Sequence, residues 1–156
     1  MQASIRTLRR LIGSGDRIAL VTLPVVVVGV AANVWVPSTF TIAVRSGWIT
    51  GAAVVGLVVG LIGWASSAAM IVTKVPKGEL ITGGPYAIVK HPLYTSVGLL
   101  VLPAAGVLLD TWLGAAVGAT IYLASRRFAP AEEAALAESF GRRWDAYARR
   151  VIVPWL

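Results

Sequence analysis

The fold is decided by an uncharged stretch of 28 residues at positions 46–73, which reads SGWITGAAVVGLVVGLIGWASSAAMIVT. A helix needs about 20 apolar residues to cross the hydrocarbon core of a membrane. The stretch is long enough to do so, and residues 48–73 are therefore predicted to form a membrane-spanning helix.

Similar apolar stretches lie on both sides of this one. Positions 18–44 carry no charged residue and predict a spanning helix over residues 18–36, which is too long for the apolar region of a cleaved signal peptide, about 7–15 residues. Residues 92–109 and 111–125 flank Asp110 and predict a tight helical hairpin. Both arms are near or below the usual spanning range of about 17–25 residues.

The composition of the 156-residue chain is typical of a membrane protein. Hydrophobic residues make up 57% and charged residues 13%, whereas soluble domains carry about 25% charged residues. The chain has no cysteine and one histidine, so disulfides, thiolate metal sites and multi-histidine metal sites are excluded. We therefore expect a single all-α domain over residues 1–156, an integral membrane protein with four helices, and no metal site.

The net charge of +7 is interpreted as a sign of membrane topology rather than of nucleic-acid binding. Thirteen of the 14 Lys and Arg residues lie in the N-terminal arm, in segment 74–91 or in the C-terminal tail, and Arg45 is the exception. The positive-inside rule then predicts a multi-pass protein with both termini and the central loop in the cytoplasm. Because the predicted spans have no ionisable residue in their interiors, an ion-coupled transporter is disfavoured.

The tail predicts a C-terminal amphipathic helix over residues 130–151, with Pro130 in its first turn. This helix is expected to lie against the anionic inner leaflet or to cap the bundle. Its apolar face consists of five residues spaced three or four positions apart: Leu136, Phe140, Trp144, Tyr147 and Val151.

Glycines recur at four-residue spacing in the predicted spans, which allows helix backbones to approach closely. This spacing favours packing within one chain, and homodimerisation through one of these faces is the alternative. The pairs are Gly47 with Gly51, Gly56 with Gly60, and Gly114 with Gly118.

Two polar residues stand out near the expected cytoplasmic face. Glu132 falls on the same helical stripe as Leu136, so it either compensates the charge of a helix N-terminus or contacts a ligand. His91 precedes Pro92 at a predicted helix start, where it is either a structural hydrogen-bonding group or a ligand contact.

Between residues 77 and 154 the chain carries four motifs in a fixed order: Gly83-Gly84-Pro85-Tyr86, Lys90-His91-Pro92-Leu93-Tyr94, Glu132-Glu133 with Leu136, and Phe140-Gly141 with Trp144, Tyr147 and Val151. In this order and spacing they resemble the isoprenylcysteine carboxyl methyltransferase and phospholipid N-methyltransferase superfamily of integral membrane enzymes. Four positions depart from the family pattern. Lys90 stands where the family usually has arginine, Ser96 replaces a frequent glycine and Trp144 a frequent tyrosine, and Phe128 stands where the eukaryotic isoprenylcysteine enzymes have an arginine before the Glu pair.

The resemblance implies methyl transfer from S-adenosylmethionine to a lipidic or hydrophobic acceptor at the cytoplasmic face. Arg127 and Glu133 are candidates for orienting that acceptor, and the alternative role of Arg127 is a positive anchor at the membrane surface. The cofactor contacts implied by position are Gly78, Glu79, Leu80, Ile81, Tyr86, His91, Pro92, Leu93, Tyr94 and Glu132.

Methyl transfer from a sulfonium is an in-line displacement, so the protein has to align the reactants and exclude water. A carboxylate acceptor is already ionised near neutral pH, and it fits the lack of a dedicated base slightly better than a protonated amine does. Two other functions stay open: an NADPH-dependent membrane reductase of the sterol-reductase type, and a small membrane scaffold without enzymatic activity.

Overall fold

The structure, a computed structural model, describes residues 15–43 and 46–154. The basic N-terminal residues Arg6, Arg9 and Arg10, together with Arg45, lie outside the described residues, so the topology argument built on them stays a prediction.

The described part of the chain is helical and contains no strand, which confirms the all-α prediction. A 3-10 turn, Val75–Lys77, extends the third helix, and a π-helical segment, Val97–Val101, joins the fifth helix to the sixth. The helices are α1 (Gly15–Trp35), α2 (Pro37–Phe40), α3 (Gly47–Lys74), α4 (Pro85–Ile88), α5 (Pro92–Ser96), α6 (Leu102–Leu108), α7 (Leu113–Phe140) and α8 (Arg142–Ala148).

Two of the four predicted spans are long and apolar enough to cross a membrane. They are Gly15–Trp35, and Gly47–Lys77, which is α3 with its 3-10 turn. Both expose large apolar side chains, such as Val28 and Ile62, as expected of helices in contact with lipid. Pro92–Leu108 forms a shorter apolar helix, so the four-span arrangement is not confirmed.

The long helices pack in the order α1, α7, α6 with the π-helical segment, and α3. Glycines bring the central helices together: a Cβ atom added to Gly118 would overlap the carbonyl oxygen of Gly98. On α3, a Cβ added to Gly60 would lie 2.8 Å from the Leu100 side chain. Packing within the chain is therefore confirmed for these glycines, whereas Gly47 and Gly51 have no atom within 4 Å of an added Cβ.

The predicted hairpin turn lies between α6 and α7, where Asp110 has a positive φ of 59°. Trp112 fixes this end of the bundle, because its Nε1 donates a hydrogen bond of 2.8 Å to the Thr39 carbonyl oxygen. Its ring also stacks on Phe40, with the ring centroids 4.8 Å apart. These contacts hold α2 over the turn.

The C-terminal region differs from the prediction, because no separate helix begins at Pro130. Pro130 lies inside α7, which runs without interruption from Leu113–Phe140. A proline removes one helix hydrogen bond, but tertiary packing keeps the helix intact, and Ser125 and Ala129 are buried beside it. The break comes at Gly141, whose φ of 51° and ψ of −128° suit a residue without a side chain.

The apolar face predicted for the tail is present across that break. Trp144, Tyr147 and Val151 are buried together, and Leu136 and Phe140 pack against them from α7. The spacing in the sequence therefore identified the right residues, although two helices and the following segment contribute them.

Candidate functional site

Turn geometry places the loop between α3 and α5 beside the last third of α7. Gly78 ends the 3-10 turn with a φ of 70°, and Gly84 precedes α4 with a φ of 59°. Glycine adopts both conformations without strain. Pro85 and Pro92 then start α4 and α5, where a proline fits the first helical turn.

The loop is joined to α7 by one carboxylate that contacts two basic side chains. Lys90 Nζ donates to Glu133 Oε2 at 2.7 Å, and His91 Nε2 lies 3.3 Å from Glu133 Oε1. All three side chains are largely shielded, with relative exposures of 15% for Lys90, 13% for His91 and 27% for Glu133. Hydrogen bonds from His91 and Lys90 lower the pKa of Glu133, although partial burial acts in the opposite direction.

Glu132, the preceding residue, acts on a different group of side chains. Burial raises the pKa of the Tyr86 hydroxyl, and the charge of Glu132 raises it further, followed by smaller effects of Tyr147 and Tyr94. Tyr147 donates a hydrogen bond of 2.9 Å to the backbone oxygen of Tyr86, and burial with the Glu133 charge raises the pKa of Tyr147 to about 12. Glu132 is thus electrostatically coupled to Tyr86.

The C-terminal strap, defined here as residues 151–154, holds the other side of the loop. The Ile152 amide donates to the Ala87 carbonyl at 3.3 Å, and the Val153 amide donates to the Ile88 carbonyl at 2.9 Å. Val153 and Val89 form an isolated parallel bridge pair. Val151 is buried with Trp144 and Tyr147 in what we call the aromatic cluster, and this contact anchors the start of the strap.

A cavity of about 510 Å³ lies between the loop, α7 and the strap. This volume is within the range of small-molecule sites, about 300–1,000 Å³. Its fixed charges are two cations and one carboxylate, beside the His91 ring, so the net positive charge favours a ligand with an anionic group. The lining residues are Lys90, His91, Ser125, Arg126, Ala129, Pro130, Glu133 and Pro154.

The predicted cofactor residues are only partly gathered at this end of α7. Tyr86 lies near enough to Glu132 and Tyr94 to interact with both electrostatically, and His91 contacts Glu133, the neighbour of Glu132. Pro92 is fully buried at the start of α5. In the predicted loop, Leu80 packs on the aromatic cluster and Ile81 is buried, whereas Gly78 and Glu79 are exposed and Leu93 is half-buried.

Of the two residues predicted to orient the acceptor, only one lines the cavity. Glu133 lines the cavity, whereas Arg127 does not; Arg126 and Arg127 are both exposed, and Arg126 is the one that lines the cavity. Sequence reasoning also missed Ser125, although Ser125, Ala129 and Glu133 recur at four-residue spacing and so mark one helix face. Pro154 carried no such signal.

Among the described residues, no three His, Cys, Asp or Glu side chains are close enough together to hold a metal ion. The polar groups of the cavity are instead those that hold organic ions by hydrogen bonds and charge, namely an ammonium, a guanidinium, an imidazole and a carboxylate.

Comparison with known proteins assigns this arrangement to a family. The model of the isoprenylcysteine carboxyl methyltransferase family matches residues 48–138, a range that includes nearly all of α3, the loop and the Glu132-Glu133 pair of α7. No curated protein and no solved structure gives a significant match. Because the matched range covers more than half of the chain and contains the Lys90, His91 and Glu133 contacts, this chain belongs to the isoprenylcysteine carboxyl methyltransferase family.

Proposed function

We propose that this protein is an integral membrane methyltransferase that transfers a methyl group from S-adenosylmethionine to a lipidic or hydrophobic acceptor at the cytoplasmic face of the membrane. The observation that carries the proposal is the pair of neighbouring carboxylates, Glu132 and Glu133, which divide one end of α7 into an aromatic side and a cationic side. The family membership supports the reaction type.

The residues on the aromatic side fit the cofactor. S-adenosylmethionine carries an ammonium group, a carboxylate, ribose hydroxyls and a sulfonium. Glu132 is suited to accept hydrogen bonds from the ammonium or from a hydroxyl, and the rings of Tyr86 and Tyr94 are suited to face a cation. His91 and the backbone amides of residues 78–81 are suited to hold the carboxylate.

The cationic side fits the acceptor. Ala129, Pro130 and Pro154 give the cavity an apolar wall, while Lys90 and Arg126 supply positive charge. This combination suits an amphiphile whose anionic group is the methyl acceptor or lies next to it. Because Arg126 lines the cavity, it would orient the acceptor, the role for which the sequence makes Arg127 a candidate.

When bound, the cofactor supplies an electrophilic methyl group. The protein then has to hold the acceptor in line with that group and to exclude water from the site. Lys90 and Arg126 would hold an anionic acceptor in place, and the strap restrains the loop through its hydrogen bonds to Ala87 and Ile88. A carboxylate acceptor needs no base, because it is already ionised near neutral pH.

Calorimetric titration of the detergent-purified protein with S-adenosylmethionine and with its demethylated product tests the proposal. We expect saturable binding of both, and a loss of roughly tenfold or more in affinity for Glu132→Ala and for His91→Ala, since each removes a charge-assisted hydrogen bond. Glu138→Ala is the matched control, because Glu138 lies exposed on the same helix.

Wild-type affinity in both site variants would show that the cofactor binds elsewhere. Binding of NADPH, with no binding of S-adenosylmethionine to folded protein, would favour a membrane reductase. Binding of neither ligand would favour a scaffold.

A further inference from the structure

We propose that Glu133 is a positioning residue, whose two carboxylate oxygens fix Lys90 and His91 so that the His91 ring is held ready for the cofactor. The inference rests on the proposed function, in which His91 contacts S-adenosylmethionine. It assigns Glu133 a different role from orienting the acceptor.

The geometry gives each oxygen of Glu133 its own partner. Oε2 takes the Lys90 ammonium at 2.7 Å, and Oε1 faces His91 Nε2 at 3.3 Å. Lys90 and His91 are consecutive in the loop but lie 43 and 42 positions from Glu133 in the sequence. One side chain therefore joins the loop to α7 at two adjacent points.

Shielding makes this contact stronger than an ion pair on the surface. Exposed pairs contribute little, because water screens them and both side chains lose rotational freedom. Lys90 and His91 are each exposed by no more than 15%, so their bonds to Glu133 are screened less. The lowered pKa of Glu133 keeps its carboxylate ionised at neutral pH.

The loop is held from its opposite side as well. The strap restrains Ala87 and Ile88, because their carbonyl oxygens accept hydrogen bonds from the Ile152 and Val153 amides. Pro92, directly after His91, is fully buried. His91 thus lies between two restrained parts of the backbone. What remains is the direction of the His91 ring, which Glu133 sets.

The ring direction has a chemical consequence. With Nε2 directed at Glu133, the other ring nitrogen, Nδ1, is the atom left to meet a ligand. Which nitrogen carries the proton is set by the hydrogen bond that the other nitrogen makes. Glu133 would therefore fix both the orientation and the tautomer of His91.

The single histidine of the chain makes this testable by NMR spectroscopy. In protein purified without a histidine tag and labelled with 15N-histidine, the imidazole signals come from His91 alone. We expect Glu133→Gln to shift the ring nitrogen signals and to weaken binding of S-adenosylmethionine roughly tenfold, whereas Glu138→Gln changes neither. We also expect Lys90→Arg to keep most of the affinity, because the arginine retains the charge that Glu133 binds.

Unchanged imidazole signals in Glu133→Gln would overturn the inference, because Glu133 would then not hold the ring. Shifted signals with wild-type affinity would overturn it too, since the contact would have no effect on the cofactor. If the wild-type protein bound no S-adenosylmethionine, the proposed function would fail, while the imidazole signals of the ligand-free protein would still report whether Glu133 holds His91.

Discussion

At the scale of single residues, the functional end of α7 depends on the angle between neighbouring positions. Successive residues of a helix point about 100° apart, so Glu132 and Glu133 face different surroundings although they share a peptide bond. Glu132 is coupled to Tyr86, and Glu133 contacts Lys90 and His91. A substitution of Glu133 therefore removes the contacts with Lys90 and His91 and leaves Glu132 in place.

Glu133 makes the stability of the protein depend on pH. Its pKa is lower in the folded protein than the ordinary value of 4.5, so it stabilises the fold above that value, and the contribution disappears as the pH falls through the lower folded pKa. We expect Glu133→Gln to lose about 1 kcal/mol relative to wild type at pH 7, allowing for screening by solvent, and less at acidic pH.

Thermal unfolding in detergent, followed by circular dichroism at neutral and acidic pH, measures this difference. Glu138→Gln should match the wild type at both pH values because Glu138 is exposed. A loss in Glu133→Gln that stays the same as the pH is lowered would contradict the expectation.

Some residue contacts were accessible from the sequence and others were not. The spacing of the apolar residues in the tail predicted that they pack together, whereas Ser125, Ala129 and Glu133 share one face only because α7 continues through Pro130, where the sequence predicted a new helix. The approach of Lys90 to Glu133 depends on how the glycine turns fold the loop back, and the spacing of residues along the chain does not encode that path. The contribution of Pro154 arises from the strap and was equally hidden.

At the scale of elements, the hairpin of α6 and α7 is held by close contact between backbones. Gly98 of the π-helical segment faces Gly118, and Gly106 of α6 faces Gly114, and at both points the atom closest to an added Cβ is a backbone atom. Small residues at such positions let helices in membranes approach closely and gain van der Waals contact. The hairpin therefore tolerates little added volume along this line.

We expect Gly118→Ala to destabilise the protein by about 1–3 kcal/mol, the usual cost of overpacking, because the added methyl would meet the Gly98 carbonyl. Gly51→Ala is the control, since an added Cβ there meets no atom within 4 Å. Chemical unfolding in detergent distinguishes the two variants. Equal stability would show that the hairpin relaxes without cost.

The strap gives a second expectation at this scale. Val153→Pro removes the amide that donates to the Ile88 carbonyl, whereas Val153→Ala keeps it. We expect the proline variant to lose about 1 kcal/mol of stability, the contribution of one hydrogen bond. We also expect it to raise hydrogen exchange in residues 85–91, measured by mass spectrometry. The same exchange in both variants would mean that the bond does not order the loop.

The sequence predicted which residues of the tail pack together, but not where its helices begin and end. Apolar residues recur at helical spacing on both sides of Gly141, so periodicity alone cannot reveal the break. Pro130 is a common first residue of helices, but here α7 is stabilised by packing before and after it. Tertiary packing keeps α7 continuous through Pro130, and the backbone conformation of Gly141 ends it.

At the scale of the whole molecule, the order of packing leaves α1 against α7 and α3 against α6 and its neighbours. The two long apolar stretches were predicted because their length and lack of charge are local properties. Whether the hairpin crosses the bilayer, and whether two chains associate through the open face at Gly47 and Gly51, depends on surroundings that the sequence does not encode.

Membrane topology can be measured directly because the chain has no cysteine. We expect a cysteine at Glu79 or Arg150, both exposed, to react with an impermeant maleimide only from the cytoplasmic side. A cysteine at Leu109, in the hairpin turn, should react only from the opposite side. Reaction of all three from one side would show that the hairpin does not cross the membrane.

Because α7 is uninterrupted, its length fixes the distance between the hairpin turn and the Glu132-Glu133 pair. At about 1.5 Å per residue, its 28 residues extend about 42 Å, and Glu133 lies about 30 Å from Leu113. The number of residues between the hairpin turn and Glu133 thus sets the distance between the turn and the candidate site. Inserting one residue before Glu132 would raise both carboxylates by about 1.5 Å and turn them by about 100°, so that Glu132 would take the former direction of Glu133 and Glu133 would turn away from Lys90 and His91. Under the proposed function, the number of residues in α7 therefore sets the distance from the hairpin turn at which an acceptor has to present its group.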